Sequence, residues 1–264
     1  MVLGALGLPA DSDDSVLSRP LEPAEIERLQ SLLVRRVEAR VPLPYLLGKA
    51  WFAGLEFRCD ARALVPRSPL AELILEHFEP WYAGPAPRRV LDLCCGGGCI
   101  GLATAHYLPG VRVDLADIDA AALTLARENT ALHGLGKRVR ILHSDLFDSL
   151  ARERYDIILC NPPYVDARDL AAMPAEYRAE PALGLGSGDD GLDITRRILA
   201  QAGAHLEPHG LLLLEVGNSG EALEAAFPEV AFTWVEFANG GDGVFAMTAR
   251  EWQDYSASWG RYAV

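Results

Sequence analysis

Residues 89–119 read RVLDLCCGGGCIGLATAHYLPGVRVDLADID, and this stretch decides the fold. An apolar run, RVLDLC (89–94), turns through Gly96, Gly97 and Gly98. A helix-forming segment follows over 99–108, and a second apolar run, VRVDLADI, spans 111–118. Short apolar runs bounded by glycine and proline are buried strands, so the segment is a β–α–β unit. Working outward, the pattern predicts a helix over 120–133 and strands over 139–144 and 155–160. A helix over 190–206, a strand over 210–216 and a helix over 219–227 come next, then strands over 232–237 and 243–248 joined by the turn ANGGD. Alternating strands and helices predict a doubly wound, seven-stranded, mostly parallel α/β sheet. No helix separates the last two strands, so they form a terminal antiparallel hairpin.

Upstream, residues 21–40 carry helical periodicity, with Ile26, Leu29, Leu32, Leu33 and Val37 on one stripe and Pro42 and Pro44 ending it. The stretch around Gly48 and Gly54 reads as a β-hairpin, and residues 70–82 as a helix. The expected organisation is a small N-terminal helical region (1–44), a hairpin linker (45–66) and a main domain (67–264). The opening MVLGALGLPADSDD has no basic n-region and is not read as a signal peptide. Its abrupt start leads us to expect an upstream segment. Residues after Thr248 carry no pattern that assigns them.

Half of the 264 residues are hydrophobic, yet no apolar run approaches the ~18–20 residues of a membrane span. The net charge of −13 disfavours duplex nucleic acid as a partner and favours a basic protein or peptide. Cys59, Cys94, Cys95, Cys99 and Cys160 are odd in number and lack Cys-x-x-Cys spacing. They read as free thiols of a cytoplasmic protein, with no metal site. The six histidines are scattered and receive no role.

The glycine loop is the first functional signal. Asp92 precedes Gly96, Gly97 and Gly98, and Asp117 ends the second strand, where a carboxylate can accept from both hydroxyls of a ribose. Gly96-x-Gly98-x-x-Gly101 formally fits a dinucleotide fingerprint, which alone is weak. Asp92-x-Cys94-x-Gly96-x-Gly98 suits S-adenosylmethionine, released as S-adenosylhomocysteine after transfer. The terminal hairpin favours the methyl donor, because a dinucleotide fold more often continues as parallel βαβ units. At the third strand's end, Asp145 is placed to accept from an adenine amino group, and Leu146 or Phe147 to cover its ring.

The second signal is YDIILCNPPYVD (155–166). Two prolines end a strand because neither has an N–H for the ladder. That accounts for Pro162 and Pro163 but not for Asn161 or Tyr164. This strand ends at the same sheet edge as the glycine loop, where ligands of such folds bind. An amide or ring amine is a poor nucleophile, since its lone pair is delocalised. The Asn161 side-chain oxygen and the Pro162 carbonyl can each accept one N–H, aligning the nitrogen with a donor methyl and stabilising the developing charge. Tyr164 is placed to pack flat on the planar acceptor.

Asn161–Tyr164 with the Asp92–Gly98 loop resembles amino-methyltransferases. Residues 44–73, NPPYV (161–165), EYRAEPALGLGSGDDGLDITRRIL (176–199) and LLLLEVGNS (211–219) narrow this to a resemblance to the protein-(glutamine-N5) methyltransferase family, over residues 40–248. DLCCGGGCI, the segment 173–199 and FTWVEFANGGDGVFAMT are similar to the branch that modifies large-subunit ribosomal protein three. The release-factor branch usually has glycine in place of Cys94 and lacks the Asn239–Gly243 turn. The resemblance implies a class I, Rossmann-like methyltransferase with S-adenosylmethionine as cofactor and a basic ribosomal protein as substrate. It implies a donor site drawn from Asp92, Cys94, Gly96, Gly98, Asp117, Ile118, Asp145, Leu146 and Asn161. It implies that Asn161, Pro162, Pro163 and Tyr164 receive the glutamine amide, with residues 65–69 as the pocket's roof. The N-terminal helical region looks shorter than the family's, which bears on substrate selectivity more than on chemistry.

Other residues are open. Glu180-Pro181 and Asp189-Asp190 either shape the mouth over Tyr164 or form a loop ending in a helix N-cap. Arg196, Arg197 and Glu215 read as structural, and Trp234 and Phe237 as core. The competing functions are release-factor methylation, an adenine-N6 nucleic-acid methyltransferase lacking the basic groove it would need, a non-catalytic assembly factor and a dehydrogenase.

Overall fold

The computed structural model describes residues 1–8 and 12–260. Residues 9–11 of the N-terminal stretch and 261–264 of the tail lie outside the described residues. Four helices come first: α1 (Val2–Ala5), α2 (Asp14–Leu17), α3 (Pro23–Val37) and α4 (Leu43–Leu47). A hairpin of β1 (Lys49–Phe52) and β2 (Leu55–Arg58) and a short α5 (Leu70–Leu75) lead into the main sheet. There follow β3 (Arg89–Leu93), α6 (Cys99–Tyr107), β4 (Arg112–Asp117), α7 (Ala120–Leu132), β5 (Val139–His143) and β6 (Tyr155–Cys160). Then come α8 (Ala167–Ala172), α9 (Asp193–Gln201), β7 (Leu206–Glu215), α10 (Gly220–Ala226), β8 (Thr233–Trp234) and β9 (Val244–Thr248). α11 (Ala249–Asp254) and α12 (Ser256–Trp259) end the described chain.

The sheet has seven strands in the order β5-β4-β3-β6-β7-β9-β8. The first five are parallel, and β9 runs antiparallel to both β7 and β8. β6 lies centrally and all six of its residues are buried, as a strand covered on both faces requires. Its side chains alternate between two cores. Ile157 and Leu159 join Val90, Val113, Leu115, Leu211 and Leu213 under α5 and α6. Ile158 and Cys160 join Leu91, Leu93, Leu212 and Leu214 under α9 to α12. Each such aliphatic side chain contributes about 1.5–3 kcal/mol on burial. The chain leaves β3 toward β4 on one side and later returns through β6 on the other. The carboxyl ends of β3 and β6 therefore flank a switch point, where this architecture opens a crevice.

Several local expectations need correction. On α3, Leu29 and Leu32 are buried against Ala5, but Ile26, Leu33 and Val37 are exposed. The short α1 and α4 cover only a narrow strip of that helix. The helix expected over 70–82 stops at Leu75, because His77 and Phe78 adopt positive φ and turn Phe78 into the core. The helix expected over 190–206 begins at Asp193, and its last turn is a 3₁₀ segment, Ala202–His205. Neither Asp189 nor Asp190 is its N-cap; Leu192 holds that position, and Asp190 instead accepts from the Leu192 N–H and pairs with Arg196. β8 is only two residues long. Residues 248–259 are structured: a Thr248–Glu251 capping box starts α11, and Trp259 is buried in the second core. Among the described residues no helix is long and apolar enough to cross a membrane.

Candidate active site

A cavity of about 550 Å³ opens at the carboxyl ends of β3, β4, β6 and β7. That volume suits a nucleoside-sized ligand together with an entering side chain. One wall is the loop after β3. Cys94 and Gly96 have φ of 58° and 53°, and Gly98 has φ of 81° as the N-cap of α6. Positive φ suits the glycines and strains Cys94. Gly101 serves packing: a Cβ there would lie 2.3 Å from Leu115 and 2.9 Å from the Asp92 Cβ, so only glycine lets α6 sit this close to the sheet.

Asp92 and Gly98 do not line the cavity; Cys94, Gly96, Asp117, Ile118, Asp145, Leu146 and Asn161 do. Asp92 sits beneath the loop, fully buried, with one oxygen accepting from the Gly101 N–H at 2.8 Å. Its other oxygen has no partner. Burial pushes its carboxyl up to about 7, against the pull of the Gly101 N–H. Asp92 therefore shapes the loop from below. Asp117 accepts from Gly96 N–H and from Asp119 N–H, each at 2.8 Å, one on each oxygen. Burial raises its pKa and these N–H groups lower it, with a net rise. Each Asp117 oxygen keeps a further acceptor site, the pattern a vicinal diol needs.

Asp145 stands at the rim and pairs with Arg197 at 3.0 Å. Leu146 lines the cavity, but Phe147 does not; it is buried and stacked on His205, with centroids 4.5 Å apart. Of these two alternatives, Leu146 is the one that borders the cavity. Cys160 lies behind Cys94, and burial followed by the Cys94 hydrogen bond pushes its thiol well up. All five cysteines are free.

The opposite wall is the Asn161-Pro162-Pro163-Tyr164 segment at the end of β6, whose residues all line the cavity. The Tyr164 hydroxyl donates to Glu215 at 3.2 Å. Ser219 donates its hydroxyl to the Tyr164 carbonyl at 2.7 Å. Gly217, at φ 46°, abuts the ring; a Cβ there would lie 2.4 Å from Tyr164 Cε2. A Cβ on Gly191 would likewise lie 2.3 Å from the Tyr164 carbonyl oxygen. Burial first, and the Glu215 charge next, push the Tyr164 phenol up, so it stays a neutral donor.

The roof, residues 65–69, lines the cavity throughout and is pinned twice. Glu180, buried, accepts from the Val65 N–H at 3.1 Å and from both terminal nitrogens of Arg67 at 2.8 and 3.0 Å. Ser68 donates to Glu215 at 2.6 Å. Arg67 also lies over the Tyr177 ring, 5.0 Å from its centroid. Glu180 and Pro181 thus belong to the mouth and not to a free loop. In the sequence Glu180 is open between two roles, Glu215 reads as structural, and nothing assigns Gly217, Ser219 or Tyr177 to the site. The glycine and serine of LEVGNS (214–219) were a usable signal, since a strand end of small residues marks a close approach.

The Methyltransferase small domain family model matches residues 70–176. The ribosomal protein uL3 glutamine methyltransferase of Xanthomonas campestris pv. campestris is 52% identical over 258 residues, 97% of this chain and 83% of its own length. The chain belongs to the ribosomal protein uL3 glutamine methyltransferase family. The family member from Francisella tularensis subsp. tularensis is 44% identical over 99% of this chain and 84% of its own length. Two solved methyltransferase structures share the fold alone. The hMettl16 catalytic domain, in complex with a 3′UTR hairpin, has a TM-score of 0.58 at 19% identity, over 86% of this chain and 80% of that one. A methyltransferase from Pyrococcus furiosus has a TM-score of 0.53 at 16% identity, over 84% and 98%. The sheet of this family member is accordingly that of a class I methyltransferase.

Proposed function

We propose that this chain methylates the side-chain amide nitrogen of a glutamine in ribosomal protein uL3, with S-adenosylmethionine as donor. One observation carries the reading: Asn161, Pro162 and Tyr164 line the same cavity as the glycine loop and Asp117. The names of the family's curated members support the substrate. The net charge of −13 suits a basic ribosomal protein met in the cytoplasm.

The residues present fit the donor. Asp117 offers two oxygens toward a ribose, Gly96 allows close backbone approach, and Ile118 and Leu146 supply apolar surface for a purine. Bound S-adenosylmethionine supplies an electrophilic methyl on a positively charged sulfur. Asn161 and the Pro162 carbonyl accept the two N–H groups of the glutamine amide and hold its nitrogen in line. As the N–C bond forms and the S–C bond breaks, the same acceptors stabilise the positive charge growing on nitrogen. The proton becomes acidic only then and passes to water, so no strong base is required. The Tyr164 ring walls the amide's plane.

The test supplies tritium-labelled S-adenosylmethionine to the enzyme with purified uL3 and, in parallel, a purified release factor. Label on one uL3 glutamine is the expected result, and Asn161→Ala should abolish it while retaining S-adenosylhomocysteine binding. Label on the release factor alone would overturn the substrate, and full activity of Asn161→Ala would overturn the mechanism.

A further inference from the structure

Glu215, the last residue of β7, is a buried carboxylate with 5% exposure. It forms no ion pair among the described residues; Arg67, the cation whose charge reaches it, is committed to Glu180. Burying a carboxylate without a bound cation is costly, and a neutral side chain would serve the fold better. Its two oxygens are divided between two walls of the cavity. Oε2 accepts from Ser68 of the roof at 2.6 Å, and Oε1 accepts from the Tyr164 hydroxyl at 3.2 Å. Ser68 lies 147 residues away in sequence and Tyr164 51. Just beyond Glu215, Gly217 abuts the Tyr164 ring and Ser219 holds its carbonyl. The end of β7 therefore contacts Tyr164 at its hydroxyl, its ring and its backbone.

Resting on the methyl-transfer reading above, we propose that Glu215 is the positioning residue of this site. It fixes Tyr164 against the acceptor amide and ties that ring to the roof over the donor. Glu215 borders the cavity, and it acts through the two hydroxyls it holds. A carboxylate is suited to this because it accepts from both hydroxyls at once. A glutamine amide offers a single acceptor oxygen and places an N–H₂ against the other hydroxyl.

The proposal predicts a particular pattern of kinetics. Glu215→Gln should lower kcat about 30-fold, with KM for the protein and Kd for S-adenosylhomocysteine within about threefold of wild type. Tyr164→Phe, which removes one of the two bonds and leaves the carboxylate, should lower kcat by a similar factor. Because both changes break one interaction, the double variant should be no slower than the slower single variant. Single-turnover rates and isothermal titration with S-adenosylhomocysteine provide the readouts, and thermal unfolding monitors the fold. Effects that multiply in the double variant, or wild-type kcat in Glu215→Gln, would overturn the proposal. If Glu215→Gln does not fold, Ser68→Ala with Tyr164→Phe replaces it, and wild-type kcat in both would overturn the proposal equally. Loss of the methyl-transfer reading has a separate signature, namely full turnover by Asn161→Ala.

Discussion

Glu180 grips Arg67 through two bonds of 2.8 and 3.0 Å across 113 residues of sequence, and its carboxylate is almost wholly out of solvent while the guanidinium is half in it. The pair joins the segment that follows the Asn-Pro-Pro-Tyr motif to the roof of the cavity. Its third bond, from the Val65 N–H, fixes the roof's backbone as well as its side chain. Glu180→Ala should release residues 65–69 and weaken S-adenosylhomocysteine binding about tenfold, read by titration calorimetry. The stability loss should be about 1–2 kcal/mol in urea unfolding. That is less than for a wholly buried pair, because the freed Arg67 can rehydrate.

Asp92 links the glycine loop to pH. Its carboxyl is raised from the usual 3.8 to about 7. Between those values the folded chain holds a proton that the unfolded chain has released. Stability from this group is therefore lost as pH rises through the window, and the loss levels off above about 7. Asp92→Asn keeps an acceptor for Gly101 and cannot ionise. Its stability relative to wild type should rise by about 2–3 kcal/mol between pH 5 and pH 8. Urea unfolding of the donor-free protein at the two pH values measures this, and a constant difference would contradict it.

The sheet and the two walls of the site could be read from local pattern, because each depends on residues adjacent in sequence. The glycines after Asp92 and the prolines after Asn161 act on their own backbone, and the terminal hairpin follows from the short turn that joins its strands. What could not be read depends on pairs far apart in sequence. Glu180 becomes a roof latch only because Arg67 and Val65 come to it, and Glu215 matters only through Ser68 and Tyr164. The α3 stripe misled in the opposite direction, since periodicity tells which face is apolar but not whether a neighbour is wide enough to cover it. Leu146 and Phe147 are indistinguishable as alternatives in the sequence, and only the fold sends Phe147 to His205 and Leu146 to the cavity.

Gly217 should tolerate no side chain. A Cβ there would lie 2.4 Å from the Tyr164 ring, and the residue's φ is 46°. Gly217→Ala has to displace Tyr164, the less constrained partner, because Gly217 is itself wedged against Gly243. Strain and overpacking of this kind cost about 1–3 kcal/mol. A fall in kcat of about 100-fold is expected, with S-adenosylhomocysteine affinity unchanged. The effect should exceed that of Tyr164→Phe, which frees only the hydroxyl end of the ring and keeps its contacts with Gly217 and Ser219.

The turn between the last two strands leads to the final prediction. Glu72 of α5 accepts from the Ala238 N–H at 2.8 Å, the Asn239 N–H at 3.1 Å and the Asn239 side-chain N–H at 2.7 Å. Gly241 lies against Pro69 of the roof, so close that a Cβ would fall 2.7 Å from the proline Cβ. Gly241 and Asp242 then reach the cavity itself. The turn is thus a lip of the cavity, held by Glu72 of α5 and packed on Pro69 of the roof. Glu72→Ala removes all three bonds without touching either wall of the cavity. KM for the protein substrate should rise about fivefold, while kcat at saturation and Kd for S-adenosylhomocysteine stay near wild type. A loss of donor affinity as large as the KM effect would mean that the turn acts through the roof and not on the substrate. An unchanged KM would remove the turn from recognition altogether.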